Sequence, residues 1–205
     1  MSTDRLSTGV PVDKQLRADA RRNRARVLEA ADAVFAEAGL HAGIEEIAHR
    51  AGVGVGTVCR NFPTKEELVA EVLTVRAEAL VNQAQSALAD ADPATAFEGF
   101  MIAAAASAAR YRALAEEMAA QGDLPVREGL KEEFQDALDR LVRHAQQAGV
   151  LRADVTSADV KLILSGVAQA MVAPGEDRSR ERFLRVVLDG LRQQPPSQQV
   201  EDSVH

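Results

Sequence analysis

Between Gly54 and Lys65 the chain gathers hydrogen-bond donors at close spacing: Thr57, Arg60, Asn61 and, beyond Pro63, Lys65. Arginine presents a planar fork of N–H donors that matches either a guanine edge or a phosphate, and both uses stay open for Arg60. Thr57 suits a phosphate or helix-start contact better than base reading, and Asn61 offers an amide donor. Lys65 stands at a helix start, where its charge and the local amides both favour a phosphate. Gly54 and Gly56, on either side of Val55, let the backbone come close enough for N–H groups to meet a phosphate. Turn geometry accounts for these two glycines equally well.

Such donors need a scaffold that holds them against a groove. Ile44 to Lys65, IEEIAHRAGVGVGTVCRNFPTK, reads as a helix, a three-residue turn and a second short helix. Ala48 is small enough for the helices to pack closely. Gly52 can take the positive φ of a tight turn. Val53 and Val58 close an apolar core between the helices, with Phe62 expected in the same core. This spacing predicts a helix-turn-helix whose second helix enters the DNA major groove.

The flanking sequence extends the pattern. Val27, Leu28, Ala31, Val34, Phe35 and Ala38 recur at helical spacing, predicting a first helix over 17–38 that Gly39 terminates. Thr64 and Glu67 form a capping box for a fourth helix, running to about Leu88. Lys14, Arg17, Arg21, Arg22, Arg24 and Arg26 stand against Asp19 alone. Arg21, Arg22 and Arg24 fit contacts to DNA backbone or minor groove, and a solvated helix face explains each of them equally. Residues 1–76 balance 11 basic against 11 acidic side chains, whereas 77–205 hold 13 against 20. The whole −7 charge therefore sits in the second part, an arrangement that can orient the protein on a polyanion.

At this point Val27 to Val69 resembles the head of the tetracycline-repressor (TetR) family. The resemblance is carried by the AxxxFAExG end of the first helix, the IAxRAGVGxGTV core and the FPTKEEL that follows. It implies a homodimer with an N-terminal DNA-binding domain and a C-terminal ligand-binding domain, repressing from a palindromic operator until a small molecule binds the body and spreads the heads. The family usually has a phosphate-touching tyrosine at the position of Cys59, histidine or tyrosine at Asn61, and threonine at Gly43.

Beyond residue 76 the reading is an all-α body. Asp92-Pro93 starts a helix carrying Phe97, Phe100 and Met101. A break near Ala109 is expected before another helix with Tyr111, Leu114 and Met118. Further helices are expected over 126–148, 156–171 and 179–192, giving about nine in all. The chain then divides into a disordered arm (1–16), the head (17–76), a ligand-binding and dimerisation body (77–192) and a disordered tail (193–205). Phe97, Phe100, Met101, Tyr111, Met118, Phe134, Leu138 and His144 are candidate pocket lining, each equally explained as bundle core. The resemblance points to the last two helices as the dimer-forming pair, with Val160, Leu164, Val167, Met171, Phe183, Val187 and Leu191 as candidates. Some of these must face the protomer core instead.

Other classes have less support. No apolar run approaches the roughly 20 residues of a membrane span, and the N-terminus lacks an apolar signal core, so a cytoplasmic protein without membrane partners is expected. One cysteine allows no intrachain disulfide, and no cofactor or metal is expected, His41 and His49 being poor ligand candidates. An enzyme would need a nucleophile–base pair, HExxH or a glycine-rich phosphate loop, none of which is evident. Cys59 in the recognition helix leaves a redox-responsive regulator as the alternative.

Overall fold

Val27, Ala31, Val34 and Phe35 of the predicted stripe are buried, with Ala30 beside them, whereas Leu28 is half-buried and Ala38 is exposed. They belong to a computed structural model that describes residues 12–120, 126–172 and 177–193. Residues 121–125 and 173–176 lie outside the described residues, as do residues 1–11 of the expected arm and 194–205 of the tail. The described residues form eight α-helices: α1 (Val12–Ala38), α2 (Ile44–Ala51), α3 (Val55–Asn61), α4 (Lys65–Ala87), α5 (Pro93–Ala120), α6 (Leu130–Gln147), α7 (Ser157–Val172) and α8 (Asp177–Leu191). A single 3-10 turn, Gly39–His41, separates α1 from α2.

Eight helices replace the expected nine because α5 continues unbroken through Ala109. The run from Ala103 to Ala120 contains neither glycine nor proline and is rich in alanine, the strongest helix former, so nothing local interrupts it. Two starts also shift. α1 begins at Val12 rather than Arg17, and α6 at Leu130 rather than Val126, because Gly129 adopts a left-handed φ of 77° before it.

Several termini form as the sequence predicts. The Thr64 hydroxyl accepts the Glu67 N–H at 3.1 Å ahead of α4. Asp92 Oδ1 accepts the Ala94 N–H at 3.1 Å and the Thr95 N–H at 3.4 Å, capping α5. Thr156 and Asp159 make a reciprocal box at α7, with bonds of 2.8 and 3.2 Å.

The chain divides into two compact units, Met1–Leu73 and Thr74–His205, with the boundary inside α4. In the first unit α1, α2 and α3 enclose Ile47, Ala48, Ala51 and Val58, with Leu68, Val69 and Val72 of α4 buried as well. Each fully buried side chain of the size of Ile47 or Leu68 contributes about 1.5–3 kcal/mol. In the second unit α5 packs chiefly on α7 and α6, around Phe97, Phe100, Met101, Leu138, Leu141 and Val167. A short antiparallel bridge ties the loop after α6 to the end of α8: the Arg152 N–H donates to the Leu191 carbonyl at 3.0 Å, and the Gln193 N–H to the Val150 carbonyl at 2.9 Å.

Candidate nucleic-acid interface

The turn between α2 and α3 is fixed by backbone hydrogen bonds. Gly52 sits at φ 62° and ψ 39°. Its N–H donates to the His49 carbonyl at 3.1 Å, and the Val53 N–H donates to the Ala48 carbonyl at 3.0 Å. This pair of bonds satisfies the carbonyls that end α2 and turns the chain into α3. Glu45 and Glu46 in the first turn of α2, with His49 and Arg50 in the last, complement its dipole. Arg50 also makes a two-pronged ion pair to Glu37 of α1, at 2.8 and 2.9 Å, and Glu37 accordingly raises the guanidinium pKa.

α3 then divides by face. Val58 is buried and Phe62 closes its end, both as core, whereas Val53 is half-buried. Gly54, Val55, Gly56, Cys59 and Arg60 are exposed. Thr57 and Asn61 are half-buried, and both bear on the shape of the outer face. Arg60 Nη2 donates to the Thr57 hydroxyl at 3.2 Å, which braces the guanidinium across the helix. Asn61 Nδ2 donates to the Thr57 carbonyl at 2.8 Å, so its amide reinforces the helix end.

The other expected DNA-facing residues separate into two groups. Arg21 and Arg22 are exposed on α1, Arg22 paired with Asp19. Arg24 and Lys65 turn inward. The Arg24 guanidinium lies 4.6 Å from the Phe62 ring centroid and reaches Glu71 at 3.0 Å, joining α1 to the end of α3 and to α4. Lys65 donates to the Leu40 carbonyl and so holds the connection between α1 and α2. Arg26, which sequence reasoning did not single out for a structural role, donates from Nη2 to the Gly52 carbonyl at 3.3 Å. Its partner is a backbone carbonyl 26 residues away, and no sequence pattern announces such a contact. His41 and His49 are exposed, and the described residues hold no group of three or more His, Cys, Asp or Glu placed for a metal.

Comparison with known proteins agrees with this geometry. Residues 27–72 match the family described as bacterial regulatory proteins of the tetR family, and residues 92–193 match the C-terminal domain of SbtR-like transcriptional regulators. A TetR transcription regulatory protein from Mycobacterium vanbaalenii is 41% identical, over 86% of this chain and 99% of that one, with a TM-score of 0.69. The chain belongs to the TetR family. A TetR regulator from Streptomyces coelicolor is 35% identical, over 84% of this chain and 99% of that one, with a TM-score of 0.72. A ketosteroid transcriptional regulator from Mycobacterium tuberculosis shares the fold at 21% identity and a TM-score of 0.55, over 83% of this chain and 95% of that one. A search of curated proteins finds no match. The N-terminal unit of this TetR protein is thus a DNA-binding domain, and no described helix is long and apolar enough to cross a membrane.

In the TetR body most of the candidate pocket residues belong to the hydrophobic core. Phe97, Phe100, Met101 and Leu138 are core, and Phe134 packs half-buried against it. His144 is half-buried with Nε2 enclosed and without a hydrogen-bond partner among the described residues. The side chain of Met118 lies outside the described residues. Tyr111 is buried beside a cleft between α4 and α5.

The candidate dimer residues require a correction of face. Val160, Leu164, Val167 and Leu191 are buried in the protomer's own core, and Met171 and Val187 pack against it. Phe183 alone of that set is exposed, at 42%. The outward apolar side chains are instead Leu162 (74% exposed), Val172 (46%) and Val186 (63%), with Phe183. α7 is apolar almost all round, so periodicity could not say which stripe α5 and α6 would cover.

Proposed function

We propose that this TetR-family protein is a homodimeric repressor that grips a palindromic operator through α3 and is released when a small molecule binds its body. The observation that carries this reading is the outer face of α3, where the Thr57-braced Arg60 stands beside the exposed backbone of Gly54 and Gly56. Arg60 reads a base edge or clamps a phosphate, the glycines admit phosphate to the backbone, and Arg21 and Arg22 extend the phosphate contacts along α1.

Dimerisation is supported by the outward face of α7 and α8. Leu162, Val172, Phe183 and Val186 expose apolar surface there. Gly166 and Gly190 lie within the same helices, and an added Cβ at either would meet nothing within 4 Å. Glycine inside a helix costs about 1 kcal/mol relative to alanine, and nothing within the protomer requires it at these sites. Close approach by the same helices of a second copy supplies a reason. A two-fold dimer presents two copies of α3 and therefore reads a palindrome. The ligand acts by binding the DNA-incompetent state more tightly than the competent one. Such a protein works beside the bacterial chromosome, in the cytoplasm.

The test is selection of random double-stranded DNA by the purified chain, at near-physiological salt with nonspecific competitor. Enrichment of a palindromic motif is expected. Folded dimer that enriches no motif refutes the operator reading.

A further inference from the structure

Two rows of residues run along the outer face of α3. Gly56 and Arg60 stand four apart on one, and Val55 and Cys59 stand four apart on the other. The first row belongs to the arginine. A Cβ on Gly56 would lie 3.9 Å from Arg60 Nη1, so the guanidinium lies back toward the glycine while its Nη2 donates to the Thr57 hydroxyl at 3.2 Å. The second row is headed by Val55, which is 41% exposed. Every other large apolar side chain described in the N-terminal unit is buried or half-buried. The one bare hydrophobe of the DNA-binding unit thus sits on its recognition helix. Gly54 and Gly56 flank it without side chains, which leaves its two methyl groups clear of their neighbours in the chain.

In the major groove every base pair shows hydrogen-bond donors or acceptors, and thymine adds a 5-methyl group. Valine has no donor or acceptor to offer, so the methyl is the base feature that it complements. The rest of α3 leaves A·T pairs to it. Adenine is commonly recognised by a side-chain amide that donates and accepts along one base edge. The one such amide on α3, that of Asn61, spends its Nδ2 on the Thr57 carbonyl at 2.8 Å. Arg60 carries donors only, which suit guanine or a phosphate.

We propose that Val55 is a specificity-determining residue that selects thymine at one position of each operator half-site, by packing its isopropyl group on the 5-methyl. This rests on the operator reading above and adds to it a base and the atom by which that base is distinguished. The contact involves no charge, so its loss changes sequence preference and leaves the salt dependence of binding as it was.

The experiment uses the full chain and the motif that it enriches from random double-stranded DNA. Each thymine of the motif is replaced in turn by deoxyuridine, in both half-sites together where the motif is a palindrome. This removes the methyl and keeps every donor and acceptor. Affinity is read by fluorescence anisotropy for the parent and for Val55→Ala, a variant that keeps its fold because the side chain is exposed. At one thymine position at least, deoxyuridine is expected to weaken the parent about fourfold per half-site, and about tenfold or more when both half-sites carry it. At that position Val55→Ala is expected to bind the thymine and deoxyuridine duplexes within about twofold of each other, with the salt slope of the parent. The proposal is overturned if no thymine is sensitive to loss of its methyl, or if Val55→Ala stays as sensitive as the parent at every position, which would give the methyl to another side chain. A palindrome without a methyl-sensitive thymine ends this inference alone. A motif that is not a palindrome but holds a thymine read through Val55 ends the two-fold repressor reading alone, and a chain that enriches no motif ends both.

Discussion

Arg26 Nη2 donates to the Gly52 carbonyl at 3.3 Å, and the same nitrogen lies 2.6 Å from where a Cβ on Gly52 would stand. One long side chain from α1 therefore pins the turn that sets the angle between α2 and α3, and a side chain at Gly52 would meet that guanidinium and hold a left-handed φ that only glycine adopts without cost. Gly52→Ala forces a left-handed alanine at roughly 1–2 kcal/mol, while the flexible end of Arg26 swings aside. Gly54, at φ −74° with open space around its Cβ position, provides the contrast. Urea denaturation is expected to show Gly52→Ala destabilised by about that amount and Gly54→Ala unchanged or slightly more stable. Equal stability of the two variants would remove the argument from backbone conformation.

What the sequence made legible was local. The stripe from Val27 to Phe35, the turn at Gly52 and the box between Thr156 and Asp159 depend on residues within a turn or two of one another, and each stands where its spacing puts it. The inward roles of Arg24 and Lys65 depend on Phe62, Glu71 and Leu40, far along the chain, so charge alone made them look like DNA contacts. The contact of Arg76 with the Tyr111 ring, 35 residues along the chain, is hidden for the same reason. Leu162 and Leu164 lie on opposite faces of α7 by helix geometry, but which of the two faces the bundle covers was not in the spacing.

The two groups of arginines predict different losses. Arg24→Ala removes a cation–π contact and an ion pair from within the head, so it lowers stability by ~0.5–1 kcal/mol and leaves the salt dependence of DNA binding unchanged. Arg21→Ala leaves stability alone and reduces the log–log salt slope of operator affinity by about one. Arg60→Ala costs about 1–3 kcal/mol of operator affinity, with relaxed sequence preference if the fork reads a base. Fluorescence anisotropy across a salt series, beside urea melts of the free proteins, separates the three. A reduced slope for Arg24→Ala would place that side chain on the phosphates after all.

Cys59 is exposed on α3, where a longer side chain projects into solvent without disturbing the core. Cys59→Tyr supplies a hydroxyl at a position where the resemblance to the TetR head implies a phosphate contact. A neutral hydroxyl displaces no counterion, so operator affinity is expected to rise while the salt slope stays the same. Unchanged affinity would mean that this turn of α3 lies away from the backbone.

The face assignment on α7 is tested by neighbouring leucines. Leu162 is 74% exposed and Leu164 is 7% exposed, two residues apart. Leu162→Lys is expected to give a folded monomer in sedimentation velocity, because it puts a charge on the proposed two-fold contact. Leu164→Ala is expected to stay dimeric while losing about 2–5 kcal/mol of stability to a core cavity. A dimer in Leu162→Lys moves the interface elsewhere.

Acid sensitivity should concentrate at the helix caps. The Thr95 hydroxyl, then the Thr95 and Ala94 N–H groups, hold the Asp92 carboxyl below its ordinary 3.8. The Thr156 hydroxyl and N–H do the same for Asp159, also from 3.8. Both carboxylates are therefore stronger acids folded than unfolded, and on acidification the unfolded chain takes up these protons first. Their stabilisation is complete above the unfolded value near 3.8 and is lost as pH falls through the lower folded value. Replacing Thr95 and Thr156 by valine removes the largest cause at each cap, so the folded values move back toward the unfolded one. The urea midpoint of the double variant is expected to begin lower at pH 7 and to fall less steeply than that of the parent as the solution is taken below about pH 4. Parallel curves would show that the caps do not set the acid limb, and would point to Glu133, held low by its hydrogen bond to Arg127, as the next carboxylate to substitute.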